Sequence, residues 1–463
     1  MKRILALVTM VMVAAISRAA TPPNFLIFLA DDCSYHDIGG YGNGQVRTPN
    51  IDGLAREGMR FEYSFNSAPM CAPTRMSLYT GIHPVRNGAH PNHSRVHDHI
   101  QSFPHHLRPL GYTVALIGKK HFAPEQNFPF DNLGGRAHDD GEGIDLDLGV
   151  IDQFMADHKD DPWFLVVASN QPHGPWTRGD ASAYPAADLV LPPYLMDTPE
   201  TRKALAAYYA EITYLDGQVG ACLDSLRQHG LETNTVVVFL SEQGSSFPFC
   251  KWTCYENGLR SAQVVRWPGR VTAGTTTDAM VQYIDLLPTC IELAGGDPAI
   301  LELDGRSFAA VLEGGASSHR EYVFGVQTSR GIMAGPEAYG IRTVRDKRFR
   351  LVWNLNSENR FQNAVSEHSD FYQSWKRLAD EGDESARVQY DRYQVRPEFE
   401  LYDLNQDPYE MTNLAEVAEH APKTAELKQH LEAWMEQQGD EGAATERAAL
   451  DRMAAWFKRK SES

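Results

Sequence analysis

The sequence predicts an α/β fold: a large, mostly parallel β-sheet sandwiched by helices, followed by a smaller C-terminal α+β domain that contains an antiparallel sheet. Two observations support this prediction. Four short apolar runs alternate with helical patterns, and each run ends in charged or polar residues; strands that alternate with helices favour a parallel sheet. From about residue 339 the pattern changes to alternating basic and apolar residues, which indicates antiparallel strands.

The predicted elements of the large sheet follow from local patterns. A helix begins at Thr48-Pro49, a pair typical of a helix N-terminus, and Gly58 ends it. A much longer helix spans about residues 198–228, where apolar residues recur at helical spacing. The apolar runs are typical of strands buried on both faces, and they predict strands at residues 24–30, 112–118, 163–169 and 235–240.

The C-terminal part of the chain is predicted to form a domain of its own. Residues 341–355 alternate basic with apolar positions, and residues 400–415 lead into a terminal helical segment rich in Glu and Ala. We interpret the basic positions as a solvated strand face rather than as a nucleic-acid-binding patch. The predicted division is a domain at residues 20–335 that carries the chemistry and an α+β domain at residues 336–463.

The N-terminus has the composition of a secretory signal peptide, predicted at residues 1–19. Lys2 and Arg3 precede an almost wholly apolar run at residues 4–16, and Ser17-Arg18-Ala19 offers a small-x-small cleavage site. The run is short for a membrane span, although an uncleaved N-terminal anchor remains the alternative. We therefore expect an exported protein without a stable membrane span, either periplasmic or secreted.

Charge and cysteine content narrow the function classes. The 463 residues carry a formal net charge of −18, which disfavours sequence-independent nucleic-acid binding, so we expect no nucleic-acid partner. An anionic substrate would need a local cluster of cations. The six cysteines are too sparse for a disulfide framework, although Cys250 and Cys254 are close enough in sequence to bridge.

Residues able to bind a metal or an anion follow each of the four predicted strands. Since the carboxyl ends of parallel strands meet at one edge of a sheet, these residues are expected to lie together. The oxygen donors among them suit Ca²⁺ or Mg²⁺ better than a soft metal, although Asp31 and Asp32 taken alone would also fit helix capping. In chain order the residues are Asp31 and Asp32, Lys119 and His121, His173, and Glu242 and Gln243.

Cys71 lies at a predicted loop-to-helix junction, in the run Cys71-Ala72-Pro73-Thr74-Arg75 that Thr80-Gly81 closes. A helix starting near Pro73 would place the cysteine in the field of a helix N-terminus, which favours an anionic oxygen there. The alternative is a buried structural cysteine, because free Cys is among the most buried residue types.

Together these motifs resemble the formylglycine-dependent (type I) sulfatases of the alkaline phosphatase superfamily, in the family's order and over nearly all of the mature chain. Residues 104–130 and 191–226 are similar to sulfatases of carbohydrates, including the heparan N-sulfatase-like branch. The resemblance implies an alkaline-phosphatase-like fold. The other motifs that carry the resemblance are Gly118-Lys119-Lys120-His121, Pro172-His173, Ser241-Glu242-Gln243-Gly244, Lys251-Trp252-Thr253 and the stretches 265–269 and 401–414.

The resemblance also implies roles for individual residues. Cys71 would be oxidised to formylglycine (3-oxoalanine) by a formylglycine-generating enzyme, and the aldehyde hydrate would be the nucleophile. Arg75 and Lys119 would hold the hydrate and the sulfate, and His121 would act as base on the second hydroxyl. His173 and Lys251 would serve the leaving group. One Ca²⁺ would be held by Asp31, Asp32, Glu242 and Gln243 together with the modified Cys71.

The implied function is hydrolysis of the sulfate esters, or of an N-sulfate, of a sulfated carbohydrate. The alternatives are a phosphodiesterase or phosphonate monoester hydrolase of the same superfamily and a catalytically inactive carbohydrate-binding homologue. A zinc hydrolase that uses the histidines is weaker, because the chain lacks H-E-x-x-H or similar spacing. Glu242 and Gln243 depart from the family, which usually has Asp followed by Asn or His, so the metal geometry is open.

Overall fold

The computed structural model describes residues 22–135 and 145–453. Its strands are β1 Asn24–Ala30, β2 Met59–Phe61, β3 Ser64–Phe65, β4 Thr113–Gly118, β5 Asp131–Asn132, β6 Trp163–Ala168, β7 Thr235–Ser241, β8 Gln263–Arg266, β9 Thr275–Thr277, β10 Val281–Gln282, β11 Val323–Gln327, β12 Ile341–Arg345, β13 Phe349–Asn354 and β14 Phe399–Asp403. Its α-helices are α1 Pro49–Glu57, α2 Cys71–Thr80, α3 Pro84–Asn87, α4 Phe103–Leu107, α5 Leu148–Asp157, α6 Pro199–Gln228, α7 Glu256–Leu259, α8 Leu286–Leu293, α9 Ala309–Leu312, α10 Ala364–His368, α11 Asp370–Asp380, α12 Glu384–Gln394, α13 Ala421–Gln438 and α14 Ala443–Ala448.

The large sheet has the strand order β5-β4-β6-β1-β7-β8-β2-β9. The five strands from β5 to β7 are mutually parallel, and β8 runs antiparallel to β7 and β2. The four apolar runs form β1, β4, β6 and β7, and the predicted helices form α1 and α6. The predicted mostly parallel sheet is therefore confirmed.

Helices cover both faces of this sheet, which explains why its central strands are continuous apolar runs. Every residue of β1, β6 and β7 is buried. Alternate residues of β1 enter different cores: Leu26 and Phe28 pack in the cluster that contains most of the buried face of α6. Phe25 and Ile27 pack in the cluster on the opposite face, which contains apolar residues of α2 and α8. A strand buried on both faces has no polar positions to alternate.

The second sheet is antiparallel, with the order β11-β12-β13-β14. Helix α13 packs on it through Leu427 and Leu431. The sheet starts at Val323, upstream of the predicted boundary at residue 335. The α+β character is confirmed, whereas the division at residues 20–335 and 336–463 stays a prediction.

The prediction that the arginines of residues 341–355 form a solvated strand face is wrong for three of the four. Arg342, Arg345 and Arg350 are each only 1% exposed. Glu256 in α7 accepts hydrogen bonds from Arg345 and Arg350, with Arg350 Nη2 2.6 Å from Glu256 Oε2. Arg342 pairs with acidic residues that follow α13. Buried arginines need buried carboxylates, and these partners are distant in sequence.

The predicted signal peptide at residues 1–19 lies outside the described residues. Within the part of the chain that the structure describes, no helix has the length and apolar character needed to cross a bilayer. All six cysteines are buried free thiols, so Cys250 and Cys254 do not form the bridge that their spacing allows.

Candidate active site

The loops that follow β4, β6, β1 and β7 meet at one edge of the large sheet. These strands are adjacent in that order and parallel, so their carboxyl ends point the same way. The backbone joins the loops directly: Asp31 N donates to Gln171 O, and Glu242 N donates to Ala30 O, both at 2.9 Å. Parallel sheets bind ligands at this edge.

Cys71 is the first residue of α2, so the predicted start of this helix near Pro73 is slightly too far along the chain. Met70 before it is extended, and Pro73 lies in the first turn, where a missing N–H costs no hydrogen bond. All ten residues of the helix are buried. Burial and the nearby Glu242 raise the pKa of the Cys71 thiol to about 12, so the unmodified side chain is a neutral thiol and a poor nucleophile.

Acidic side chains gather around Cys71. Ligand atoms of Asp31, Cys71 and Glu242 all lie within 4.8 Å of one another, and the three side chains are buried. Gln243 extends the group, because its Nε2 lies 3.2 Å from Cys71 Sγ and 2.7 Å from Asp32 Oδ1. Its Oε1 is buried without a hydrogen-bond partner. This buried set of oxygen and sulfur atoms could hold a metal ion.

Each of the three predicted cations pairs with one of these acids. Arg75 binds Glu242 with two parallel hydrogen bonds, Nε–Oε1 at 3.0 Å and Nη2–Oε2 at 2.7 Å. Lys119 Nζ donates to Asp31, and Lys251 Nζ donates to Asp32 Oδ2 at 2.6 Å. Sequence reasoning placed these cations around a substrate anion, whereas the structure also shows them neutralising the acids.

Three basic side chains face three carboxyl groups in the site, each in a pair. Burial raises the pKa of Asp31, but the charges of Lys119, His173 and Arg75 outweigh it and hold that pKa well below its usual value. Burial and Asp31 raise the pKa of Glu242 to about 8 despite Arg75. A divalent cation among these carboxylates would favour their charged forms and give the site a net positive charge for an anionic substrate.

His173 lies at the solvent side of the site. Its side chain is 28% exposed, and its Nε2 lies 3.6 Å from Asp32 Oδ2. Its Nδ1 lies 2.6 Å from Gly174 O, so Nδ1 carries a proton that it donates to this carbonyl. Burial, followed by the charge of Lys251, lowers the pKa of His173. The ring therefore presents Nε2 towards the acidic group.

His121 contacts a residue that the sequence did not single out. Its Nε2 lies 2.9 Å from Nδ1 of His93. Nine of the seventeen histidines lie between residues 83 and 138. No local pattern distinguishes His93 among them, because its partner follows a strand on a different part of the chain.

Two further polar residues join the site without a sequence signal. Ser246 Oγ donates to Asp32 Oδ2 at 2.8 Å, beside Lys251. Asn92 Oδ1 accepts from the backbone N of Ala72 at 3.4 Å, in the first turn of the Cys71 helix. Both are ordinary loop residues in the sequence, and only their long-range contacts identify them.

The backbone of the site is unusual for residues with side chains. Asp32, His93, His121 and Trp252 have φ values of 60°, 55°, 46° and 65°. This left-handed region is sparsely populated by residues other than glycine and costs about 1–3 kcal/mol where it persists. Such residues cluster at sites whose surroundings hold side chains in fixed positions for binding or catalysis.

Comparison with known proteins identifies the family. A family model described as Sulfatase matches residues 23–296, and one described as N-sulphoglucosamine sulphohydrolase, C-terminal, matches residues 244–374. The chain belongs to the sulfatase family. This sulfatase is 32% identical to an ulvan-active sulfatase of Formosa agariphila over 92% of its own length and 82% of the relative. It is 30% identical to human N-sulphoglucosamine sulphohydrolase over 90% of each chain.

Solved structures agree with the fold of this sulfatase. A protein in complex with its substrate D-glucosamine-2-N,6-O-disulfate aligns with a TM-score of 0.70 at 20% identity, over 91% of this chain and 99% of that one. A phosphonate monoester hydrolase of Agrobacterium radiobacter aligns with a TM-score of 0.66 at 20% identity, over 90% and 96%. At these identities the matches show the alkaline-phosphatase-like fold alone. Family membership makes the protein a sulfuric ester hydrolase.

Proposed function

We propose that this sulfatase removes sulfate from a sulfated carbohydrate, using Cys71 in its formylglycine form and a bound Ca²⁺. One observation carries the proposal: Cys71 lies at the head of a buried helix with its Sγ within 4.8 Å of carboxylate oxygens from Asp31 and Glu242. With a pKa of about 12, the Cys71 thiol stays protonated among these acids and is a poor nucleophile. An oxygen nucleophile beside a hard cation would suit the same position.

The residues around Cys71 fit a calcium ion. Asp31, Asp32, Glu242 and Gln243 would hold it, together with the oxidised residue 71, through the oxygen donors that Ca²⁺ prefers. The buried Oε1 of Gln243 supports this fit, because an unpartnered buried carbonyl oxygen is costly without a ligand. Glu242 presents its carboxylate to the group, whereas Gln243 faces Cys71 and Asp32 with its Nε2 and would have to turn its amide over to offer Oε1 to the ion. When bound, the ion would supply positive charge to the nucleophilic oxygen and to the sulfate.

Residue 71 and the side chains around it would carry out nucleophilic attack, sulfate binding and proton transfer. The formylglycine hydrate supplies two hydroxyls on one carbon, one to attack sulfur and one whose deprotonation releases sulfate. Arg75 and Lys119 would hold the hydrate and the sulfate oxygens in place. His121 would remove the proton from the second hydroxyl. His173 and Lys251 would face the leaving group, with His173 Nε2 as the proton donor when the imidazole is charged.

The names of the relatives support a carbohydrate substrate. One relative is an ulvan-active sulfatase, and another is an N-sulphoglucosamine sulphohydrolase whose C-terminal family model also matches this chain. An O-sulfate ester and an N-sulfate are therefore the two substrate chemistries to compare. We also propose that residues 1–19 are cleaved, that the enzyme acts in the periplasm or outside the cell, and that a formylglycine-generating enzyme matures it.

The first test is a peptide mass spectrum that covers residues 61–75 of protein purified from its native host. The proposal expects an aldehyde at position 71, and the mature N-terminus near residue 20 in the same sample. A Cys71→Ala variant is the matched control for activity, because it keeps α2 intact and removes the oxidisable atom. An unmodified thiol at position 71 in active enzyme would refute the proposed nucleophile.

The second test compares sulfate release from N-sulfoglucosamine, O-sulfated ulvan oligosaccharides and matched aryl phosphate and phosphonate esters. Release of sulfate from one of the sugars, lost on calcium chelation and in Cys71→Ala, supports the proposal. Faster release of phosphate or phosphonate would favour the phosphoryl hydrolase alternative. Binding of the sugars without any turnover would favour the inactive carbohydrate-binding homologue.

A further inference from the structure

We propose that His93 is a positioning residue for His121: it accepts a hydrogen bond from His121 Nε2–H and so fixes which ring nitrogen of His121 faces the reaction. The inference rests on the proposed role of His121 as a base. It adds to that role a residue that neither the sequence motifs nor the family resemblance single out.

The contact between the two rings is close. His93 Nδ1 and His121 Nε2 lie 2.9 Å apart, and the ring centroids are 4.7 Å apart with 44° between the planes. His93 lies between α3 and α4, whereas His121 follows β4. A distance of 2.9 Å between two ring nitrogens requires one to donate and the other to accept.

His93 is neutral in this arrangement. Burial, with the charges of Lys119 and Lys251, lowers its pKa to about 4. A neutral imidazole has one N–H and one lone pair, so two arrangements are available. If His93 donated to His121, the lone pair of His121 Nε2 would be occupied and its Nδ1 would carry the proton. If His121 donates to His93, Nδ1 of His121 keeps its lone pair and serves as the base.

Only the second arrangement supports a proton transfer without rearrangement. A proton taken up at His121 Nδ1 gives an imidazolium that still donates through Nε2–H to His93. That hydrogen bond then becomes charge-assisted and stronger, which stabilises the protonated base. A hydrogen bond at one ring nitrogen commonly fixes the tautomer and orientation of a functional histidine.

Two contacts of the neighbouring Asn92 hold the segment of His93 in place. Asn92 accepts from Ala72 N at the start of α2, and Asn92 N donates to Arg330 O at 3.3 Å, in the loop after β11. Gly331 in that loop has φ +81°, and a Cβ there would lie 2.3 Å from Asn92 O. The segment that carries His93 therefore contacts both the Cys71 helix and the loop that follows β11.

Two substitutions of His93 separate positioning from simple packing. In His93→Asn the side-chain oxygen can accept the same hydrogen bond, and Asn tolerates a φ of 55°. In His93→Leu nothing can accept it. We expect His93→Leu to lower kcat about 10- to 100-fold with KM changed less than about 3-fold, and His93→Asn to recover most of this loss. His99→Leu, an exposed histidine on the same segment, is the control and should keep wild-type kcat.

Nitrogen NMR of histidine-labelled protein tests the hydrogen bond without substrate, with His121→Asn used to assign the signals. We expect His121 to be protonated at Nε2 in the wild type and in His93→Asn, and to shift towards Nδ1 protonation in His93→Leu. Equal kcat in His93→Leu and the wild type, or Nδ1 protonation of wild-type His121, would overturn the proposal. If the wild type releases no sulfate from any sugar, the proposed function fails, whereas the tautomer measurement still decides the role of His93.

Discussion

The buried pair of Arg75 and Glu242 gives the most quantitative prediction. Both side chains are 0% exposed, and Arg75 donates to Glu242 twice and to Lys119 O at 2.8 Å. Arg75→Met keeps the approximate volume but leaves a buried carboxylate and a buried carbonyl without their donors. Removal of one partner from a buried ion pair costs about 3–5 kcal/mol, so we expect a loss of that size in the free energy of unfolding.

The free energy of unfolding that Arg75→Met loses should depend on pH. The pKa of Glu242 is raised to about 8 even beside Arg75, and loss of the guanidinium raises it further. The carboxyl can therefore take up a proton near neutral pH and avoid being a bare buried charge. We expect Arg75→Met to lose less stability at about pH 6 than at about pH 9.

Urea unfolding measures the loss in the free energy of unfolding. A chelator is present, because bound calcium would stabilise the folded proteins and mask the loss. Arg108→Met is the matched control, since Arg108 also pairs with a carboxylate, Asp131, but the two side chains are 40% and 53% exposed. Its unfolding midpoint should stay close to that of the wild type. The double variant Arg75→Met with Glu242→Met should recover much of the lost stability. A loss below about 1 kcal/mol for Arg75→Met alone at about pH 9 would refute the reasoning that this variant leaves a buried, uncompensated carboxylate.

Three further predictions concern the site loops, the second sheet and the metal. Gly118→Ala should prevent normal folding, because φ is +94° and the new Cβ would lie 2.0 Å from Ala168 O. The control Gly111→Ala, at φ +91° with nothing within 4 Å, should lower the free energy of unfolding by only about 1 kcal/mol. Equal soluble yields and urea midpoints for the two variants would contradict this. Burial raises the pKa of Glu256, but the charges of Arg345 and Arg350 outweigh burial and lower this pKa to about 2. The stabilisation from ionised Glu256 is therefore present above about pH 4.5 and is lost as pH falls towards 2, by up to about 3 kcal/mol. Glu256→Gln should make the acid unfolding curve flatter over this range. Calcium at about 100 times its Kd should stabilise the wild type by about 2.7 kcal/mol in thermal unfolding, and Asp31→Asn should remove this gain; an equal shift in both proteins would argue against the assigned ligands.

Local patterns in the sequence determined the strands and the segments that form the site. The runs that became β1, β6 and β7 are apolar throughout because helices cover both faces of the sheet, and that property is visible in a few consecutive residues. The position of the polar residues after these strands then follows from the rule that parallel strands end at one edge. The motif around Cys71 is likewise contained within α2 and the glycine that follows it.

Only the tertiary structure decided which charged groups meet. The arginines of β12 and β13 look like a solvated face, but their acceptors lie 89 to 104 residues away in sequence, in α7 and after α13. His93 and His121 are 28 residues apart, and Arg75 and Glu242 are 167 apart. Periodicity reports the environment of neighbouring residues along one element, whereas a buried charge is stabilised by a partner that chain folding brings to it. The sequence therefore determined the positions of the charged residues and histidines along the chain, and the tertiary fold determined which of them interact.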